Sequence, residues 1–406
     1  MTKFARGETS SLLRRAEEEM KLLEEEKKQQ QEPKSSPIVV PHLPIDCIFH
    51  IIAWLPLESL LASRFVSKAW YGIVNAPDFI NAHLQRSSIG LIYLTPDVKS
   101  ARKVDFSVDG KVLGLDSVSV LHWHLFNPRT RFQIKYLEMG DGKSTIKEYN
   151  VTCTGHIKAT CHGLIVLENT AKRKGLIVMN PVTREVKTEP LGTICSFQSE
   201  SYGLAFCEET SRYKLVHLFK DALQYIGCEI MCIGGGTWRI VEGPPHGLMS
   251  WLGYPPVSAI GALHWIPHLD QNEHIVSMVV KDEEFVKTPL PKRGGIHDRV
   301  IEMDGSLGFV RYRSPIVMEV WILRSLGGGG WAKQQSVMLD WARPMVALFC
   351  VRAGGELVFK YGDHLYAYDR RVQLMRKIEA TNEWHSSPAC YLPHVNTLKS
   401  WTNPST

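Results

Sequence analysis

The pattern of apolar and polar residues divides the chain into three parts. Residues 1–40 are dominated by short clusters of charged side chains. From Pro41 to residue 86, apolar residues recur at spacings of three and four, which is the period of amphipathic helices. From about Ile89 onward the chain consists of short alternating runs separated by glycine, the pattern of β-strands and tight turns. We therefore expect a small helical segment followed by a large all-β region.

The segment 41–86 carries the residues that begin and end helices. Pro44 suits a first helical turn because its missing N–H would be unpaired there, and Asp46 lies near the positive end of the helix dipole. Pro56 cannot continue the hydrogen-bond ladder, so it ends this helix and starts another. We predict three to four helices, whose inward positions are Ile48, Ile51, Ile52 and Leu55, then Leu57, Leu60 and Leu61, then Val66, Trp70 and Ile73, and finally, after Pro77-Asp78, Phe79, Ile80 and Leu84.

This helical segment has more apolar surface than it can enclose. Phe49 and Trp54 lie off the main apolar stripe of the first helix, and a module of about 45 residues is too small to bury both faces. A surplus apolar surface on so small a module indicates a protein partner. The alternative is that the first helix packs on the β region of the same chain.

The N-terminal residues 1–40 contain eight basic and eight acidic side chains. Leu12, Ala16, Met20 and Leu23 recur at helical spacing, and Glu17 and Lys21 form a favourable i,i+4 pair. We expect a charged, solvated helix that leads into a disordered linker, QQQEPKSSP. A docking or dimer helix is the alternative.

The β region contains an internal repeat. Gly110 precedes Asn127-Pro128 by 17 positions, and Gly163 precedes Asn180-Pro181 by the same 17, so one unit recurs after 53 residues. Weaker copies of a small-residue turn before an apolar strand lie at Gly203, Gly261, Gly305 and Gly355, and glycine-then-tryptophan turns follow Gly234 and Gly327. Repeats of 40 to 50 residues made of short strands are typical of propeller blades, and about six fit. A two-sheet sandwich is the alternative, although it does not explain the repeated spacing.

Composition and charge exclude several classes of protein. With 44% apolar and 22% charged residues, the chain as a whole is neither disordered, fibrous nor coiled-coil. A net charge of +5, dispersed along the chain, is too small for the basic stripe of a nucleic-acid binder. The first 20 residues lack the apolar stretch of a secretory signal, and no run is long enough to span a membrane. We expect a protein of the cytoplasm, the nucleus or both, whose nine cysteines are buried free thiols.

The sequence offers weak signals for catalysis or for metal binding. GDGKST, from Gly140 to Thr145, has Leu137 where a phosphate loop needs an earlier glycine, so a charged hairpin is favoured. The remaining pairs lack the spacing or the further ligands of a metal site; they are His122 with His124, His264 with His268, Cys228 with Cys232 and Cys153 with Cys161. We therefore predict no catalytic residue, no cofactor and no metal. Trp251, in the loop LMSWLGYPP, is the candidate anchor for a bound protein.

At the helical segment a family resemblance becomes specific. Leu43-Pro44-x-Asp46, Ile51, Leu55-Pro56, Leu60 and Val66-Ser67-Lys68-x-Trp70 resemble an F-box in order and spacing without a gap, with Cys47 where the family more often has leucine. The β region resembles the F-box-associated, kelch-like domain of the large plant F-box families, in which HGL precedes NPxTR; the matching residues are His162, Gly163, Leu164, Asn180, Pro181, Thr183 and Arg184.

The resemblance implies an α+β multidomain chain: an arm at 1–40, a small all-α F-box at 41–86, a large all-β propeller-like domain of about six blades at 87–395 and a tail at 396–406. It implies the substrate-recognition subunit of an SCF ubiquitin ligase. Such a subunit is non-catalytic: its F-box binds a Skp-type adaptor and through it a cullin–RING ligase, while the β domain recruits an unknown protein for ubiquitin-dependent degradation. No nucleic acid or membrane is an expected partner. The family's contact or scaffold positions fall on Leu43, Pro44, Ile51, Leu55, Pro56, Leu60, Val66 and Trp70.

The alternative function is a propeller enzyme or a carbohydrate-binding propeller whose N-terminal helices only pack internally.

Overall fold

The computed structural model describes much of the chain between residues 43 and 401. The residues it leaves out in that range are 97–106, 109–110, 113–131, 141–142, 154, 169–174, 196–198, 224, 246–251, 253–254, 267–271, 296, 329, 340–344, 353–354, 363 and 379–390. The chain divides into two units, Met1–Ile48 and Phe49–Thr406. The predictions for the arm, for Gly110, for His122 and His124, for His268 and for Trp251 lie outside the described residues.

Four helices occupy the predicted helical segment. They are α1 (Ile45–Ile52), α2 (Leu57–Ser63), α3 (Lys68–Asn75) and α4 (Pro77–Arg86). Pro56 separates α1 from α2, and Pro77 occupies the first turn of α4. Ser67 caps α3, because its side-chain oxygen accepts a hydrogen bond from the Trp70 backbone N–H at 3.2 Å. The three to four predicted helices are therefore confirmed as four in the described part of the chain.

The strands follow the helices without interruption by another helix in the described residues. They are β1 (Ile89–Pro96), β2 (Ser107–Val108), β3 (Lys111–Val112), β4 (Phe132–Gly140), β5 (Lys143–Cys153), β6 (Ile157–Cys161), β7 (Leu164–Glu168), β8 (Leu176–Asn180), β9 (Glu185–Glu189), β10 (Glu200–Cys207), β11 (Arg212–Lys220), β12 (Ile226–Cys232), β13 (Arg239–Val241), β14 (Val257–Ala259), β15 (Ala262–Trp265), β16 (Asn272–Val279), β17 (Glu284–Gly294), β18 (Arg299–Met303), β19 (Ser306–Ser314), β20 (Val317–Leu323), β21 (Ala332–Met338), β22 (Val346–Cys350), β23 (Glu356–Tyr361), β24 (His364–Asp369), β25 (Leu374–Ile378) and β26 (Tyr391–Val395).

Six four-stranded antiparallel sheets form the six blades of a β-propeller. Blades 2 to 6 each use four consecutive strands, β6–β9, β10–β13, β14–β17, β18–β21 and β22–β25, whereas blade 1 has the order β26-β1-β4-β5. An apolar cluster fills each of the six gaps between neighbouring blades. Inner strands are therefore apolar on both faces, as in Leu164–Glu168, while outer strands such as Glu185–Glu189 alternate between partly exposed and exposed positions. The predicted propeller of about six blades is confirmed.

The repeated glycines mark the turn between the first and second strands of a blade. His162-Gly163, Ile260-Gly261 and Asp304-Gly305 all have positive φ at both residues, the geometry of a type I′ hairpin turn. Gly355, with a φ of 68°, lies in the corresponding turn of blade 6. The copy assigned to Gly203 is wrong, because Gly203 lies inside β10, where its Cα packs against Pro256 and Leu263 of the next blade.

The two glycine-then-tryptophan turns are equivalent positions. Each joins the third and fourth strands of its blade, blade 3 and blade 5. The Trp238 indole N–H donates to the Pro190 carbonyl at 3.0 Å, and the Trp331 indole N–H donates to the Pro289 carbonyl at 2.7 Å. Both prolines belong to the end of the preceding blade, so these tryptophans connect neighbouring blades at their outer edges.

The C-terminal strand closes the ring. β26 pairs antiparallel with β1, from Ile89 opposite Val395 to Tyr93 opposite Tyr391. The residues that follow are held by the two motifs of blade 2. The Thr397 hydroxyl donates to the His162 carbonyl at 2.7 Å, and the Asn180 amide donates to the Thr397 and Lys399 carbonyls at 3.0 and 2.7 Å. Because Asn396, Thr397 and Leu398 are buried, the packed chain extends past the predicted boundary at residue 395.

The side chain of Asn180 has a second role in the turn that it begins. Its oxygen accepts hydrogen bonds from the backbone N–H groups of Val182 at 2.9 Å and Thr183 at 3.3 Å. This is an Asx turn, which asparagine forms readily. One buried side chain therefore shapes the NPxTR turn and holds the C-terminal segment in place.

We predict that Asn180→Ala lowers the free energy of unfolding by about 1–3 kcal/mol, because it leaves buried backbone groups without partners. The matched control is Asn81→Ala on the exposed surface of α4, which should change stability by less than about 0.5 kcal/mol. Urea unfolding of the full chain, followed by circular dichroism, measures both. Equal midpoints for the two variants would contradict the role given to Asn180.

Candidate functional site

The helical module has a small apolar core. Ile52, Leu60, Val74 and Phe79 are fully buried. Phe49 packs edge-to-face on Phe79, with ring centroids 5.2 Å apart. Phe49 lies off the predicted stripe but is only partly exposed, because its ring packs on Phe79 of α4. The expectations for Ile51 and Val66 are corrected, because both side chains are exposed rather than inward-facing.

The same module exposes large apolar side chains. In the unit from Phe49 onward, Ile51, Trp54, Phe65, Val66 and Tyr71 are each more than half exposed, and Phe65 reaches 89%. In the other unit, Leu43 and Ile45 are also more than half exposed. Isolated exposed apolar residues are common on protein surfaces, but five within a span of about 20 residues are typical of a contact surface. We name Ile51, Trp54, Phe65, Val66 and Tyr71 the apolar docking set.

The residues predicted to bind an adaptor fall into three groups. Leu43, Pro44, Ile51, Pro56 and Val66 are exposed, and Leu55 and Trp70 are partly exposed. Leu60 has no exposed surface, so it can act as scaffold but not as a contact in this conformation.

The sequence reasoning missed Phe65, Tyr71 and Ile45 as surface residues and noted Trp54 only as lying off the stripe. Phe65 has no helical register to reveal its exposure, because it lies between α2 and α3. The Trp54 ring is covered on one face by the Arg86 guanidinium, 4.9 Å from the ring centroid.

Polar contacts attach the helical module to the propeller. Lys147 on β5 pairs with Glu58 of α2 at 2.5 Å and with Glu138 of β4 at 2.7 Å. Burial raises the pKa of Glu58, but the hydrogen bond and charge of Lys147 outweigh it, so the carboxyl has a pKa below its usual value. On blade 6, the Arg352 guanidinium donates to the Leu84 carbonyl at the end of α4 at 2.9 Å. These contacts use polar groups and leave the apolar docking set uncovered.

A cavity of about 870 Å³ lies along the axis of the propeller. Strands and turns from all six blades line it; among the lining residues are His162, Phe206, Glu208, Glu209, Arg352 and His394. Burial lowers the pKa of His162 to about 4 and of His394 to about 3, so both are neutral at pH 7. Burial also raises the pKa of the Cys161 thiol to about 12, which makes it a poor nucleophile. The cavity is suited to binding rather than to acid–base or thiol chemistry by these three groups.

Several residues that the sequence offered as candidates for catalysis or metal binding have structural roles instead. His264 is buried, and its ring nitrogens lie 2.8 Å from the Ser277 hydroxyl and 3.1 Å from the Ala259 carbonyl. Gly140 and Lys143 pair at the end of a β4–β5 hairpin, as the charged-hairpin interpretation of GDGKST predicted. The seven cysteines among the described residues are free thiols, but the expectation that they are buried holds for only four of them, because Cys195 and Cys232 are partly exposed and Cys47 is exposed. None of the described helices is long and apolar enough to cross a membrane.

One cluster among the described residues has the ligand types of a metal site. It consists of Cys195, Glu200 and His217, whose ligand atoms lie within 4.8 Å of one another. Burial and the neighbouring Glu200 carboxylate raise the pKa of the Cys195 thiol to about 12. No motif in the sequence indicates this cluster, because its members are 5 and 17 residues apart on a loop and two strands.

Comparison with known proteins gives the family. Residues 40–81 match the F-box domain, and residues 118–359, more than half of the chain, match the F-box associated beta propeller domain. An F-box protein of Arabidopsis thaliana is 21% identical over 421 residues, covering 89% of this chain and 93% of the relative. F-box protein CPR1 of the same plant is 26% identical over 316 residues, with coverages of 70% and 69%. An Arabidopsis F-box/kelch-repeat protein is 23% identical over 326 residues, with coverages of 75% and 83%.

The F-box match covers α1, α2, α3 and the first half of α4, and the propeller match covers blades 2 to 5 and parts of blades 1 and 6. The chain therefore belongs to the F-box-associated β-propeller family and carries an F-box, as its resemblance to plant F-box proteins predicted.

Proposed function

We propose that this protein is the substrate-recognition subunit of an SCF ubiquitin ligase. Its F-box binds a Skp-type adaptor and through it the cullin–RING ligase, and its propeller recruits a target protein for ubiquitination. The observation that carries the proposal is the apolar docking set, which the propeller of the same chain leaves uncovered. Apolar and aromatic anchors of this kind contribute most of the affinity in protein interfaces.

The attachment of the F-box supports this proposal over internal packing of the helices. Polar contacts, such as Lys147 with Glu58 and Arg352 with the Leu84 carbonyl, tie the helices to the blades. If the helices existed only to complete the core of the chain, their exposed aromatic side chains would face the propeller. Instead Trp54, Phe65 and Tyr71 face solvent.

The propeller presents the features of a recruitment domain. Its six blades form a rigid scaffold, and its axial cavity is lined by residues from every blade. Specificity in such a scaffold lies in loops and cavity residues rather than in the fold. Trp251 remains the candidate anchor given by the sequence. A non-catalytic role and a location in the cytoplasm, the nucleus or both are parts of the same proposal.

The first prediction concerns the adaptor. Ile51→Glu in the full chain should weaken binding to a Skp-type adaptor about 100-fold or more, because a carboxylate buried without a partner in an apolar interface costs several kcal/mol. The F-box should stay folded because Ile51 is exposed. Calorimetric titration measures the affinity.

Val372→Glu is the matched control for this prediction, since Val372 is also a β-branched, exposed apolar residue and lies in the β24–β25 turn. It should bind the adaptor as the unsubstituted chain does. Leu60→Asp is not a clean test, because Leu60 belongs to the core of the module. Full affinity in Ile51→Glu would remove the observation on which the proposal depends.

The second prediction concerns recruitment. Glu208 and Glu209 are exposed and line the axial cavity. The double charge reversal Glu208→Lys with Glu209→Lys should reduce capture of target proteins from plant extract severalfold, because it inverts the charge at the cavity, and it should leave adaptor affinity unchanged. Quantitative mass spectrometry of the captured proteins measures the effect.

Asp282→Lys with Glu284→Lys is the control for the cavity variant. Both residues are exposed, lie at the β16–β17 turn of blade 4 and do not line the cavity. Target capture that is equal in the two double variants would place recognition away from the cavity.

A further inference from the structure

A cluster of metal-ligating side chains lies where blade 2 connects to blade 3. Cys195 is on the connection between β9 and β10, Glu200 is the first residue of β10, and His217 is on β11. The Cys195 Sγ atom lies 3.5 Å from Glu200 Oε2, and His217 Nε2 lies 3.4 Å from the same oxygen. Three ligands of different chemistry therefore converge on one point.

These separations match the edges of a zinc coordination tetrahedron. Zinc binds cysteine sulfur at about 2.3 Å, histidine nitrogen at about 2.0–2.1 Å and carboxylate oxygen at about 2.0–2.2 Å. At tetrahedral angles, such bonds place sulfur and oxygen about 3.5 Å apart and nitrogen and oxygen about 3.3–3.5 Å apart. The observed distances of 3.5 and 3.4 Å fit two edges of the tetrahedron directly, and the third pair, Cys195 Sγ and His217 Nε2, lies within 4.8 Å.

The histidine is oriented as metal-binding histidines are. His217 Nδ1 lies 2.7 Å from Glu229 Oε1 on the neighbouring strand, which also accepts the Thr193 backbone N–H at 2.6 Å. With Nδ1–H donating to Glu229, the lone pair of Nε2 points toward Cys195 and Glu200. A carboxylate on the far nitrogen is the usual second partner of a zinc-bound histidine.

His217 Nε2 has no other partner. The side chain has no exposed surface, and this nitrogen makes no hydrogen bond among the described residues. The ring is held in place by Tyr202, which stacks on it with centroids 4.1 Å apart and an interplanar angle of 9°. This nitrogen is buried, held in place and without a hydrogen bond, which indicates a missing ligand independently of the number of carboxylates nearby.

The charge balance of the cluster also favours a divalent cation. Three carboxylates, Glu168, Glu200 and Glu229, surround one ammonium, that of Lys158. The carboxylates therefore outnumber the lysine in a largely buried region, where the imidazoles of His156 and His217 lie beside them. Lys158 lies 2.5 Å from Glu200 Oε1, the other oxygen of that carboxylate, so Oε2 stays available to a metal. Buried charge without compensation is strongly unfavourable.

We propose that Cys195, Glu200 and His217 bind one zinc ion, with water at the fourth position. Thiolate, imidazole and carboxylate together suit zinc better than magnesium or calcium. Water can reach the site because Cys195 is partly exposed. Binding releases the thiol proton of Cys195, which leaves as the S–Zn bond forms.

The ion would fasten the connection between blades 2 and 3 to the sheet of blade 3. This connection already packs closely there, because a Cβ atom at Gly192 would overlap Glu229 and His217. The site is a structural clamp in this proposal and is separate from the F-box and from the axial cavity.

The experiment uses the full chain after its metal has been removed with a chelator. Zinc is titrated in competition with a chromophoric chelator, and cobalt is titrated to detect the near-ultraviolet band of thiolate-to-cobalt charge transfer. We expect one zinc per chain and a cobalt–thiolate band. Cys195→Ala should lower zinc affinity about 100-fold and abolish the band, and Glu200→Gln should lower affinity about tenfold.

Cys232→Ala is the matched control, since Cys232 is a partly buried thiol of the same blade outside the cluster. It should bind zinc and cobalt as the unsubstituted chain does. In the unsubstituted chain, zinc should protect Cys195 from alkylation while the exposed Cys47 still reacts, a readout that does not depend on the folding of a variant. The proposal is overturned if the folded chain takes up no stoichiometric zinc, or if Cys195 stays equally reactive with zinc present.

Discussion

The pairing of the last strand with the first is the interaction on which the rest of the structure depends. Each apolar cluster of the propeller lies between two blades, and the two clusters that border blade 1 include Leu392 and Tyr391 of β26, so these two are complete only when the ring is closed. Blade 1 supplies one wall of two such clusters, yet its inner strand, β26, comes from the other end of the domain. Closing the ring therefore links the ends of the β domain and gives every inner strand two covered faces.

The same closure determines where the F-box is attached. Only Ser87 and Ser88 separate α4 from β1, and β1 is the strand on which β26 pairs. The Tyr136 hydroxyl of β4 donates to the Ser88 carbonyl at 3.4 Å, and Lys147 of β5 reaches Glu58. The helical module thus depends on blade 1, the blade that closure completes. Such a fixed connection suits the proposed function, in which the F-box and the propeller bind different proteins.

Apolar side chains serve two purposes in this chain, and the two purposes differ in how far the side chains are buried. In the blades, residues such as Phe309 and Phe359 are fully buried between sheets. In the F-box, Trp54 and Phe65 stay exposed although each is as large as a core residue. Small modules cannot bury all of their large side chains, so those that remain outside are available to a partner.

The sequence predicted the fold where local chemistry decides the structure. Pro56 and Pro77 each mark the start of a new helix, because proline cannot continue the preceding hydrogen-bond ladder. The glycines after His162, Ile260 and Asp304 are required by the positive φ of type I′ turns. Gly203 was misassigned because a glycine needed for close packing against Pro256 and Leu263 looks like a turn glycine in the sequence. The exposure of Ile51 and Phe65 depends on how the helices cross, which periodicity alone does not reveal.

Contacts between residues that are far apart in the sequence could not be predicted from local sequence patterns. The sequence indicates that Asn180 lies in a turn. It does not indicate the hydrogen bond from the Asn180 amide to the Thr397 carbonyl, which joins positions 217 residues apart. The pairing of β10 with β11 assembles the Cys195 cluster from two strands and a loop, and the pairing of β11 with β12 places Glu229 opposite His217. No motif search over adjacent residues finds such a set.

Hydrogen–deuterium exchange of the full chain, alone and saturated with a Skp-type adaptor, tests the central claim most directly. The account predicts that the adaptor slows exchange in α1, in α3 and in the segment that joins α2 to α3, while the inner strands of the six blades exchange as before. Unchanged exchange in these F-box segments, or protection confined to the blades, would contradict the account.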